Sequence, residues 1–150
     1  MASTDDDDDV YKMTSEPRGF CVIINIINFD DPKYEQRNDS KESIVLIEDA
    51  FTRLKFDVKT YTDLKYENDE IKNKIEELIN SEECNCHDAF VLYIHSHGEQ
   101  SGFITSDSKT IKYNDIIDIF TDIKCPKFLK KPKLLFFDCC RGGKNILIKG

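Results

Sequence analysis

The chain has 150 residues, of which 39% are hydrophobic and 33% charged, proportions suited to one soluble globular domain with a packed core. Its net charge of -8 and pI of about 4.9, with no basic stripe, argue against a nucleic-acid partner. No apolar run is long enough to span a bilayer.

The acidic run Asp5–Asp9 repels itself and reads as a disordered tail over residues 1–9, leaving a domain over 10–150. It lacks the apolar core of a signal peptide. The six cysteines, Cys21, Cys84, Cys86, Cys125, Cys139 and Cys140, are then expected as reduced thiols in the cytoplasm. Phe20–Ile27 is a continuous apolar, β-branched run that predicts a strand buried on both faces. The polar stretch Asn28–Lys41 predicts a loop. Ile44, Ile47, Phe51 and Leu54 recur at helical spacing, with Ser40 available as a cap. Phe56–Tyr61 alternates as a shorter strand.

Asn68 is placed to cap the next helix, whose buried face is Ile71, Ile75, Leu78 and Ile79. Ala89–Ile94 predicts a second buried strand, ending at His95-Ser96-His97-Gly98. Asn114 opens a short helix carrying Ile116, Ile117, Ile119 and Phe120. Lys133–Phe137 predicts a last strand running into Asp138-Cys139-Cys140-Arg141-Gly142-Gly143. With nothing assigned beyond it, the sheet is expected to end there, its edge open to self-association or a partner. Strand and helix alternate, so the fold class is α/β with a largely parallel sheet. Chemistry in such sheets gathers at the carboxyl ends of the strands, where His97 and Cys140 both fall.

A thiol attacks carbonyls as thiolate, and a nearby imidazole can remove and return its proton near neutral pH. The tetrahedral intermediate needs backbone N–H donors, and Gly98 and the glycine-rich turn after Cys140 leave room for them. Other chemistries fit less well. A phosphatase loop would need arginine where Asn145 or Ile146 stands. A phosphate-cradling loop would need glycine at 138 and a hydroxyl at 145, where Asp138 and Asn145 stand. His95-x-His97 and Cys84-x-Cys86-His87 lack a second pair at metal-ligand spacing. No metal or cofactor is assigned.

The segment Asp138-Cys139-Cys140-Arg141-Gly142, with Ser96-His97-Gly98-Glu99 upstream, resembles the nucleophile and histidine motifs of the caspase family. Val10–Met13 leading to Pro17–Asn25 is similar to the entry strand of death-receptor-type initiator caspases. Lys124-Cys125-Pro126 and Lys131–Leu134 are similar to the approach to the nucleophile strand. The resemblance covers Val10 to Gly143. It implies the large subunit of a caspase-like three-layer fold, incomplete without its small subunit. The implied activity is a cysteine endopeptidase cleaving after aspartate in apoptotic or inflammatory signalling. Cys140 would be the nucleophile, His97 the general acid/base, and the N–H groups of Gly98 and Cys140 the oxyanion hole. Arg37 matches the arginine that grips the substrate aspartate. The implied partners are a small subunit, a second heterodimer and protein substrates.

Two departures stand against this pattern. Cys139 replaces alanine, a mild change because neighbouring strand residues face opposite ways. Asp138 replaces glutamine and brings a second carboxylate to the substrate pocket. At about 4 Å that repulsion is of order 4 kcal/mol before screening. Beyond Cys140 the sequence runs only to Gly150, which gives a second expectation: a truncated, inactive homologue that binds and regulates active caspases.

Overall fold

A computed structural model describes residues 10–139 in full and the backbone of 144–149. The acidic run 5–9, and Cys140 with the turn after it, lie outside the described residues. Among those described, a five-stranded sheet runs in the order β2-β1-β3-β6-β7, beside a two-stranded hairpin, β4-β5. The strands are β1 Phe20–Asn25, β2 Asp57–Thr62, β3 Phe90–Ser96, β4 Gly102–Ile104, β5 Thr110–Lys112, β6 Lys133–Cys139 and β7 Lys144–Lys149. The helices are α1 Ser40–Arg53, α2 Glu70–Ile79 and α3 Tyr113–Ile117.

β1, β2, β3 and β6 are parallel. β1 and β3 are buried along both faces, which is why their sequences are unbroken apolar runs. Alternate residues supply two cores. On one face Val22, Ile24, Leu92, Ile94, Leu135 and Phe137 pack against Ile71, Ile75 and Ile79 of α2 and Ile116 of α3. On the other, Cys21, Ile23, Val91 and Tyr93 pack against Ile44, Ile47 and Phe51 of α1.

The sheet does not end at β6. β7 pairs antiparallel with it from Lys133↔Lys149 to Asp138↔Lys144. The open edge expected at the nucleophile strand is therefore filled by this chain's own backbone, and self-association cannot be argued from it. The apolar stretch Ile146–Ile148 is too short to announce a strand alone, and β6 completes it. Two helix starts also differ from expectation. Ser40 is buried at the first turn of α1, where Asn25 donates to its Oγ at 3.1 Å, and the cap position falls to Asp39. Asn68 and Asp69 both take left-handed backbone angles, so α2 begins after Asp69. Leu54 is 59% exposed, because α1 ends one residue before it.

Candidate active site

At the carboxyl end of the sheet, the loop after β1 crosses above the end of β3. His97 is the first residue after β3. Its ring lies 4.9 Å from Phe29 and 6.0 Å from Tyr34, centroid to centroid. Nε2 is 2.7 Å from the carbonyl oxygen of Glu35. A carbonyl only accepts, so Nε2 carries the proton in this contact and the neutral ring keeps its lone pair on Nδ1. Lys33, Tyr34, Glu35, His97, Gly98, Glu99 and Ile104 line a cleft of about 480 Å³ there.

The backbone behind His97 is held by the β4-β5 hairpin. Ser96 Oγ donates to Ile104 O at 2.6 Å, and Ile104 N donates to His97 O at 2.9 Å. Gly98 bridges to Phe103. A Cβ at position 98 would sit 2.6 Å from Cys139 Cβ and 2.9 Å from the Tyr113 hydroxyl, so glycine is required by close approach.

Cys139 is 6% exposed and belongs to the core on the α2–α3 face. Burial pushes its thiol up to about 12, with Asp138 adding in the same direction against the Tyr113 hydroxyl. A thiol so held is protonated at neutral pH and points away from the α1 face. Both features argue against Cys139 as a nucleophile. Cys140, the expected nucleophile, lies outside the described residues.

The α1 face carries a polar cluster. Asp138 and His95 are register partners on neighbouring strands. Tyr93 Oη donates to Asp138 Oδ2 at 2.6 Å, and His95 Nε2 lies 3.7 Å from the same oxygen. Burial, and then Asp138, raise the Tyr93 phenol above its ordinary range, with Arg37 opposing. Arg37 donates through Nη1 to Ile26 O at 2.8 Å and to Asn25 Oδ1 at 3.5 Å. Among the described residues the basic side chain within 4 Å of the Asp138 carboxylate is His95 rather than Arg37.

The structure thus joins His97 and Gly98 at one cleft and sets Arg37 and Asp138 at the same end of the sheet. Nothing in residue type signals the Glu35 carbonyl, since every residue has one. Phe29 and Tyr34 sit in what reads as a polar loop. Tyr93 was legible only as a strand residue and His95 only as half of a His-x-His pair, although period-two alternation from Asp138 would have put them on its face. The Cys84-x-Cys86-His87 group diverges: Cys84 turns into the core and bonds Leu78 O, Cys86 is exposed, and His87 packs edge-on to Phe20. Among the described residues no three potential ligands come together.

In this α/β sheet an imidazole is oriented at one strand end, beside the strand that leads to a cysteine. The family model described as the caspase domain matches residues 18–148, and the chain belongs to the caspase family. It is 31% identical to caspase-8 of Rattus norvegicus over 147 residues, 91% of this chain and 29% of that protein. It is 31% identical to human caspase-10, over 89% of this chain and 25% of that protein. Among solved structures, caspase-1 from Spodoptera frugiperda superposes with a TM-score of 0.81 at 27% identity, covering 88% of this chain and 52% of that one. The structure of pro-Sf-caspase-1 gives 0.80 at 26% identity, over 88% and 55%. The fold is therefore caspase-like α/β, and the chain spans under half the length of the curated relatives named here. Among the described residues no helix is long and apolar enough to cross a membrane.

Proposed function

We propose that this chain is the catalytic portion of a caspase-type cysteine endopeptidase acting in the cytoplasm, in apoptotic or inflammatory signalling. Arg37 binds the residue before the scissile bond, an aspartate, and Asp138 weakens that preference. The observation that carries this reading is the 2.7 Å contact between His97 Nε2 and the Glu35 carbonyl. It fixes the tautomer that a general base needs and keeps the Nδ1 lone pair available to accept a proton.

In the mechanism that follows, His97 Nδ1 takes the Cys140 thiol proton and the thiolate adds to the peptide carbonyl. The N–H groups of Gly98 and Cys140 hold the oxyanion. Imidazolium then protonates the leaving amine, the C–N bond breaks, and a thioester remains. Water, deprotonated by His97, releases the acid and restores the thiol. The imidazolium keeps its Nε2 proton on Glu35 throughout, so that carbonyl stabilises the charged ring. Completing the substrate groove requires a small subunit and pairing with a second heterodimer.

A second reading is supported by Asp138: a homologue that binds and regulates active caspases without turning over substrate itself. A carboxylate where the family has glutamine opposes an aspartyl substrate. One experiment separates the two. A peptide electrophile with aspartate next to its warhead is applied with a caspase small subunit present. Labelling that His97→Ala and Cys140→Ala both remove supports the protease; no labelling of the wild type supports the regulator.

A further inference from the structure

A carboxylate distant in sequence bonds the start of the loop that carries the Glu35 carbonyl. Asp63 follows β2, takes a left-handed φ of 56° and donates its N–H to Asn25 O at 2.9 Å. Asp is among the few residues that tolerate this conformation, because its short side chain bonds locally. Its Oδ1 accepts from Ile27 N at 2.7 Å and Asn28 N at 3.0 Å, and its Oδ2 from Asn28 Nδ2 at 2.7 Å. Three donors converge on one side chain, which only a carboxylate can accept in full.

The stretch pinned in this way is the seat for the far end of the same loop. Arg37 N donates to Ile27 O at 2.9 Å and Arg37 Nη1 to Ile26 O at 2.8 Å. Gln36 Nε2 donates to Asn28 Oδ1 at 2.5 Å. Residues 36 and 37 are both anchored on what Asp63 holds, and Glu35, next in line, presents its carbonyl to His97. Ser106 ties down the near side of the loop, donating to Asn28 O and accepting from Asp30 N, but makes neither of these anchors.

We propose that Asp63 is a positioning residue for the candidate active site, acting through Asn28 and Gln36 to set the His97 tautomer and the seat of Arg37. The inference rests on the proposed function only in taking His97 as the acid/base group. Its test reads imidazole nitrogens and does not depend on turnover. The full chain, with ¹⁵N-labelled histidine, is compared with Asp63→Ala and Asp63→Asn by NMR at a pH where the rings are neutral, His97→Gln supplying the assignment. Wild type should show Nε2–H as the dominant His97 tautomer. Asp63→Ala should lower its ratio to Nδ1–H by about fivefold, the factor that one ordinary net hydrogen bond commands. Asp63→Asn keeps an oxygen for both backbone N–H groups but sets an amide NH2 against Asn28 Nδ2, so it should recover only part of the ratio. An unchanged His97 ratio in folded Asp63→Ala overturns the proposal. So does an equal shift at His87, which is remote from the loop and would move only with general loosening. Should Asp63→Ala not fold, Gln36→Leu decides. Its side chain is exposed, so folding is spared, and a wild-type ratio there overturns the relay. A tautomer shift in a protein that no electrophile labels would sink the protease reading and leave this one standing.

Discussion

Tyr93 and Asp138 sit on neighbouring strands with the phenol hydroxyl 2.6 Å from the carboxylate, and His95 approaches the same oxygen. The carboxylate that departs from the family pattern is therefore held in place by this chain's own side chains. Its side chain is only partly exposed to water.

Asp138→Gln should raise kcat/KM on an aspartyl peptide by well over tenfold, since each 1.4 kcal/mol of relieved repulsion is about one factor of ten. The comparison needs a compatible small subunit and peptides differing only at the residue before the scissile bond. Equal efficiency in wild type and variant would show that Asp138 does not reach the substrate.

Labelling by an active-site electrophile should persist in Cys139→Ala and vanish in Cys140→Ala. Burial keeps Cys139 protonated, with its thiol at about 12, whereas a labelled nucleophile must reach thiolate near neutral pH. Mass spectrometry of the modified peptide identifies the site, and adduct on Cys139 would reverse the assignment.

Gly98→Ala should lower stability by about 1–3 kcal/mol, the usual cost of overpacking a filled site. The new methyl would meet Cys139 Cβ at 2.6 Å. Adding Cys139→Ala should not rescue it, because that Cβ remains, while Cys139→Gly should recover part of the loss. Denaturant midpoints of the two double variants check this.

Stability should fall at acid pH partly through Asp88 and Asp107. Burial raises each carboxyl, but bonds outweigh it and hold both below the ordinary range: Thr14 and Ser15 N–H with Lys12 at Asp88, Thr105 Oγ1 with Tyr66 and Glu67 N–H at Asp107. A carboxyl depressed in the folded state stabilises above its unfolded pKa of 3.8 and loses that contribution as pH falls through the folded value. Asp107→Asn and Asp88→Asn should each flatten the acid limb of a melting-temperature profile below about pH 5. An acid limb as steep as wild type in both would refute this.

The strands buried on both faces were readable because burial demands unbroken apolar runs: Phe20–Ile27 and Ala89–Ile94 needed no context. The hairpin of Gly102–Ile104 with Thr110–Lys112 was not, since three-residue strands carry no periodicity. β7 also escaped, because its identity depends on β6 as a neighbour. At the site, His97 was found from its place at a strand end. Arg37 came from register with the family, and its bonds to Ile26 and Asn25 depend on a loop path that residue spacing does not encode.

The contact from Glu35 to His97 has a consequence for how this site tolerates change. It is made by a main-chain atom, so selection on the orienting group cannot act through the identity of residue 35. Side-chain scanning across the loop would register position 35 as silent while its carbonyl bonds the imidazole. Only an alteration of the backbone, such as a thioamide at that peptide unit, would expose the dependence. The site can drift in sequence at this point and still keep its geometry, as long as the loop follows the same course.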